Sequence, residues 1–136
     1  MKILFIAGFG PITADAEESR QLYEGALGIN FKREEGDYRH TEDLKGANSF
    51  AVWPLAQAAE SCFSTNEWPE DVVHPQAWLE FDVDDVETAG RELEQRGYKL
   101  PVRNRTEPWG QVVTRLISPE GLLVGLTMTP WMRDKK

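Results

Sequence analysis

The apolar and polar positions of this chain fall into one pattern that occurs twice. Residues 3–9 form an apolar, strand-like run. Asp15 follows, and residues 16–27 then place Leu22, Tyr23 and Ala26 on one stripe of a helix that closes at Gly28. Near residue 77 the order returns. Ala77, Leu79, Phe81 and Val83 alternate with Trp78, Glu80 and Asp82, the period of a half-buried strand. Asp84 and Asp85 come next, then residues 86–96 with Val86, Ala89 and Leu93 on one helical stripe, closing at Gly97. Asp15 to Gly28 spans 13 positions, Asp85 to Gly97 spans 12, and the two aspartates stand 70 apart.

The end signals of the two helices match. Asp15 with Glu18, and Asp84 with Glu87, have the spacing of a capping box. Gly28 and Gly97 suit left-handed C-terminal caps. Strand-like segments follow each helix: 29–33, 38–42 and 49–53 in the first half, 98–102, 111–117 and 122–127 in the second. Glu35, Gly36 and Asp37 form one turn, and Ser118, Pro119, Glu120 and Gly121 another. The pattern is βαβββ, twice. It predicts an α+β fold in which two tandem βαβββ modules with mixed curved sheets form a shared cleft. Module one covers about residues 1–56, a linker about 57–74 with a short helix over 55–60, and module two about 75–131, all within a single domain.

Composition narrows the function. The chain has 136 residues, 40% of them hydrophobic, which suffices for one core. A formal net charge of -8 argues against a nucleic-acid partner, which needs clustered Lys and Arg. Arg103 and Arg105 are close together, but Glu107 follows them. No apolar stretch approaches the ~20 residues of a membrane span. The run at residues 3–7 is too short and too weakly flanked for a secretory leader, so the expected location is cytoplasmic, without a membrane partner. The single cysteine, Cys62, excludes an internal disulfide and a thiolate metal cluster, and is read as buried and inert.

Several local motifs resemble one family. Asp15 through Tyr23, followed by Leu27 and Gly28, is similar to the first helix of the vicinal-oxygen-chelate superfamily, the glyoxalase, bleomycin-resistance and dioxygenase group. Phe81, Asp82, Val83, Asp84, Asp85 and Val86 resemble the opening of its second module. Glu107, Pro108, Trp109 and Gly110, then Ser118 through Val124, resemble its closing hairpin. The resemblance covers nearly the whole chain. It implies paired βαβββ modules, a small-molecule partner and a homodimer.

In metal-using members, His, Gln or Glu side chains stand on four cleft-facing strands. The first ligand lies seven residues before the aspartate that opens each helix, which gives Gly8 and Trp78. The last lies four residues after the turn glycine, which gives Gly125, and its counterpart in module one is Trp53. None of these four side chains can ligate a divalent ion. The expectation is therefore no metal and no cofactor.

The same positions suggest an aromatic cleft. Strand parity places Trp78, Glu80 and Asp82 toward it, with Trp53 opposite. The candidate ligand-binding residues are Trp53, Trp78, Glu80, Arg115, His40 and Trp109. Glu80 and His40 are also the weak candidates for acid–base catalysis. Arg115 pairs with an acid such as Glu80 or binds an anionic group. His40, with Glu42 and Glu80, is the one noncanonical metal candidate; His74, beside Pro75, is read as exposed. Trp109 gates the cleft or seals a module edge. Three functions compete: metal-independent binding of an aromatic, cationic small molecule; a glyoxalase-like lyase, isomerase or dioxygenase acting on a small carbonyl or phenolic substrate; and a non-catalytic scaffold with a filled cleft.

Overall fold

The computed structural model describes residues 1–34 and 36–133. Eight strands build one mixed sheet: β1 (Ile3–Thr13), β2 (Lys32–Arg33), β3 (Arg39–Thr41), β4 (Phe50–Pro54), β5 (Ala77–Val83), β6 (Val102–Thr106), β7 (Val112–Ile117) and β8 (Leu123–Met128). Their order across the sheet is β2-β3-β4-β1-β5-β8-β7-β6. The two halves mirror each other about the antiparallel β1–β5 pair, with β4 parallel to β1 on one side and β8 parallel to β5 on the other. The repeat read from the sequence is thus a real duplication of topology.

The first helix, α1 (Ala16–Arg20), runs directly into a π-helical turn, Gln21–Ala26. Asp15 caps it by accepting from the Glu18 amide at 3.0 Å. The third helix, α3 (Val86–Gln95), is capped by Asp85, which accepts from the Thr88 amide at 3.1 Å. This corrects the capping expected of Asp84. That carboxylate accepts from the Lys2 and Asp85 amides instead, which ties the start of β1 to the loop before α3.

Two expected strands are displaced, for the same reason. The amide of Ile29 donates to the Tyr23 carbonyl, and that of Tyr98 to the Leu93 carbonyl. Both residues still belong to helix caps and cannot join a ladder. The strand expected over 29–33 shrinks to β2, and that over 98–102 shifts to β6, after Pro101. Of the turn expected at Glu35, Gly36 and Asp37, the first residue lies outside the described residues. The C-terminal α4 (Pro130–Arg133) folds back on its own sheet.

The core has two parts. On the outer face α3 covers module two, where Val83, Val86, Ala89 and Leu126 form a small cluster. On the concave face lies the larger cluster, which includes Trp53, Trp78, Val102, Val113 and Leu123. Its lid is α2 (Leu55–Phe63), three residues longer than the expected linker helix. Pro54 ends β4 and opens α2 with extended backbone, so the helix turns straight onto the sheet. The buried side of α2 is Ala58, Ala59, Ser61 and Cys62. These are small, so the helix axis lies close to the indoles beneath it.

Candidate binding cleft

Strand parity places the inward residues as the alternation predicts. Trp78, Glu80 and Asp82 are buried on the concave side of β5, while Leu79 and Phe81 are half-buried on the other side. Glu80 is flanked in the sheet by two glycines: its register partners are Gly8 on β1 and Gly125 on β8. Both glycines are spatial requirements. A Cβ on Gly125 would stand 2.9 Å from the Glu80 Cγ, and one on Gly8 would stand 2.8 Å from the Trp78 ring. The space that these glycines leave is filled by the neighbouring Trp78 and Glu80.

The two indoles meet edge to face with centroids 6.4 Å apart. Trp78 donates through Nε1 to the Ala51 carbonyl at 3.0 Å. Arg115 lies over Trp53 at 5.2 Å from the ring centroid, within cation–π range. Trp53 and Trp78 are 9% and 6% exposed, since α2 occupies the region between the two halves of the sheet. The open hollows lie elsewhere. One of about 260 Å³ is lined by Glu17, Arg20, Asp37 and Arg39, and one of about 300 Å³ by Ile6, Phe9 and residues 46–48. Neither touches Trp53, Trp78 or Glu80.

Beneath α2 runs a buried polar network. Arg115, 1% exposed, donates to the Ser61 hydroxyl at 2.6 Å, to Glu107 at 3.0 Å and to Glu80 at 3.4 Å. Ser61 in turn donates to Glu107 at 2.8 Å. Gln111 donates to Glu80 at 3.1 Å and to the Thr129 hydroxyl at 2.8 Å. Arg105 donates to the Ser61 carbonyl at 2.5 Å. Every member has a partner, as buried polar groups require. The Arg115–Glu80 pair was legible in the sequence. Glu107 and Ser61 were not: the first reads as part of a turn, and the second has no local signal at all. Asp82 is likewise committed, accepting from Thr127, from Thr129 and from Arg133 at 2.9 Å, so the tail caps its own sheet.

The remaining candidates stand apart. The His40 ring is bonded on both nitrogens, to Glu42 at 2.6 Å and to Glu34 at 2.9 Å. Burial lowers its pKa, but these two carboxylates outweigh that and raise it. The carboxylates bonded to His40 are thus Glu42 and Glu34, while Glu80 is bonded to Arg115 and Gln111, and no group of three His, Cys, Asp or Glu among the described residues is placed to hold a metal. Tyr38, stacked on His40 at 5.4 Å, has its phenol pushed up by burial and by Glu80. Trp109 is 53% exposed and donates to Gln111 at 3.0 Å, outside the buried network's interior. Cys62 is buried on α2, and burial pushes its thiol up to about 11.

The model of the glyoxalase/bleomycin resistance protein/dioxygenase superfamily matches residues 6–126. The chain belongs to this superfamily. Among solved structures it is similar to a superfamily member from Vibrio splendidus 12B01, with a TM-score of 0.59 and 15% identity over 89% of this chain and 96% of that one. It is also similar to methylmalonyl-CoA epimerase from Mycobacterium tuberculosis, with a TM-score of 0.58 and 16% identity over 98% and 93% of the two chains. A methylmalonyl-CoA epimerase in complex with methylmalonyl-CoA and NH4+ gives a TM-score of 0.57 and 14% identity over 95% and 96%. At these identities the likeness is one of fold. No curated protein matches the chain. Among the described residues no helix is long and apolar enough to cross a membrane.

The divalent metal used by many members of this superfamily needs carboxylate, amide or imidazole donors on the inward strands. Here the positions hold Gly8, Trp53, Trp78 and Gly125, and the spare volume holds Glu80 and the Trp78 ring. Those residues do not fit such a metal.

Proposed function

We propose that this chain works by binding, without a metal, and that α2 is the resident occupant of its cleft. One observation carries the reading: the four inward positions where metal-using members place ligands hold two indoles and two glycines, and the buried charged groups beside them are satisfied by one another and by Ser61 of α2. Such a site has no unpartnered base or electrophile to spend on chemistry. A flat, aromatic small molecule suits it best, since Trp53 and Trp78 offer aromatic surface. Such a ligand reaches them only by displacing α2. Its apparent affinity is then reduced by the fraction of molecules with α2 undocked.

The test is a titration of tryptophan emission against aromatic amines and guanidines, with Cys62 reactivity followed in parallel. Saturable quenching that also speeds thiol labelling supports binding with α2 displaced. Elemental analysis of protein purified without chelator adds a second check: stoichiometric Zn, Ni, Mn or Fe would return the chain to the glyoxalase-like enzymes. The second reading, a non-catalytic scaffold, is favoured by the occupied concave face itself, and it predicts no response to any compound.

A further inference from the structure

Four residues along β5 from Trp78, the concave face holds a carboxylate outside the network beneath α2. Asp82 is 0% exposed, and so are the two threonines beside it, Thr127 and Thr129. It accepts from the Thr127 hydroxyl at 2.5 Å, from the Thr129 hydroxyl at 2.8 Å and from the Thr129 amide at 2.9 Å. All three donors are neutral. Among the described residues the cation bonded to Asp82 is Arg133, whose Nε donates to Oδ2 at 2.9 Å. A buried carboxylate without its cation is costly, so the site demands a positive charge.

The acceptors around it set the form of that charge. The pairing of β5 with β8 ends at Asp82 and Thr127. At that point Nη2 of Arg133 donates to the Val83 carbonyl and, at 3.4 Å, to the Thr127 carbonyl. The carboxylate thus takes one guanidinium nitrogen, and the two carbonyls take another. A guanidinium presents such donors in one plane, whereas an ammonium offers a single nitrogen.

The occupant is held less firmly than the site. Asp82 and its threonines are fixed by the sheet. Arg133 arrives on α4, a helix of four residues with none buried. Trp131, its largest side chain, is 47% exposed. A single helical turn with little packing has almost no stability of its own, so the docking of α4 rests on Arg133.

We propose that Asp82, with the Val83 and Thr127 carbonyls, forms a binding site for a small alkylguanidinium compound, and that Arg133 occupies this site in cis. The Arg133 side chain is 25% exposed, so its stem marks the path by which the alkyl chain of the compound leaves to solvent. The net charge of -8 favours the approach of such a cation. The compound competes with α4, and its affinity for the native chain is scaled down by the fraction of molecules with α4 undocked.

The test is calorimetric titration of the full chain with ethylguanidinium chloride, set against ethylammonium chloride. Arg133→Ala should bind ethylguanidinium saturably at one site, about tenfold or more tightly than the wild type does. It should bind ethylammonium about tenfold or more weakly. Arg133→Ala combined with Asp82→Asn should bind neither. Should Arg133→Ala fail to fold, ethylguanidinium should restore its circular dichroism at concentrations that leave the wild type unchanged. The proposal is overturned if Arg133→Ala neither binds ethylguanidinium nor is rescued by it. Equal binding by wild type and Arg133→Ala overturns it as well, as does binding that survives Asp82→Asn or that ethylammonium matches. The outcome is independent of the cleft reading, because none of the bonded partners of Asp82 lies on α2.

Discussion

The two modules share a topology but treat charge in opposite ways. Module two buries it: Arg115, Glu80, Glu107 and Asp82 are all under a tenth exposed, and each is held by several bonds. Module one keeps charge at an edge. His40 stands between Glu34 and Glu42 on β3 and its flanks, with Glu34 59% exposed. The difference teaches where a duplicated sheet can afford charge. The inward side of β5, β8 and β7 is dry and meets α2 through Ser61, so an unmet charge there is costly. The β2–β3 edge is wet, so its ion pairs contribute little.

The comparison can be broken most strongly at its buried end. Arg115→Ala removes the one guanidinium that holds Glu80 and Glu107 together, leaving two buried carboxylates facing each other. It should cost about 3–5 kcal/mol in chemical denaturation. Arg115→Met, which is uncharged but similar in length, should lose nearly as much unless Glu107 is changed to Gln in the same chain. The next effect is smaller. Ser61→Ala keeps the helix former but deletes the hydroxyl that accepts from Arg115 and donates to Glu107. About 1–3 kcal/mol should be lost, measured as a shift in urea midpoint.

The smallest effect sharpens the contrast from the other side. The folded-state pKa of His40 is raised, so its contribution to stability is fully present below the unfolded value near 6.5 and is lost as pH rises through the folded one. His40→Gln should therefore destabilise the protein at pH 5.5 and much less at pH 9. The His40 ring is 16% exposed, but its partners Glu34 and Glu42 are 59% and 31% exposed, so solvent screening should keep the difference under about 1 kcal/mol. A pH-independent deficit would mean that the ring's stacking on Tyr38, and not its charge, matters.

The sequence made the duplication legible because both helices announce themselves with an aspartate cap and a terminal glycine, and because β5 alternates cleanly. It also placed Gly8, Trp53, Trp78 and Gly125 on the inward face. Three things were hidden. The register of β1 against β5 shifts between Ile3 and Phe5 and again between Ile6 and Gly8, which breaks its period of two, so the faces of β1 cannot be read by alternation. The strand starts after the helices were misplaced because cap hydrogen bonds reach two to four residues past the last helical turn. Most importantly, residues 55–60 read as a short linker helix, and no local signal says that the small face of α2 packs over the Trp53–Trp78 pair. That contact is long-range: Ser61 meets Glu107 and Arg115 at separations of 46 and 54 residues. The glycines suggested room for a ligand, yet the room belongs to Glu80 and Trp78, and α2 covers it.

That docking is the central claim, and Cys62 reports on it. It is the only thiol in the chain, buried on the inward side of α2, with its pKa pushed up to about 11. Labelling with a disulfide reagent at pH 8 compares native protein with the same protein in denaturant. If α2 is seated as described, the native thiol reacts at least a hundredfold more slowly, and the rate rises with urea in step with unfolding. Rapid stoichiometric labelling of folded, ligand-free protein would show that α2 does not occupy the cleft.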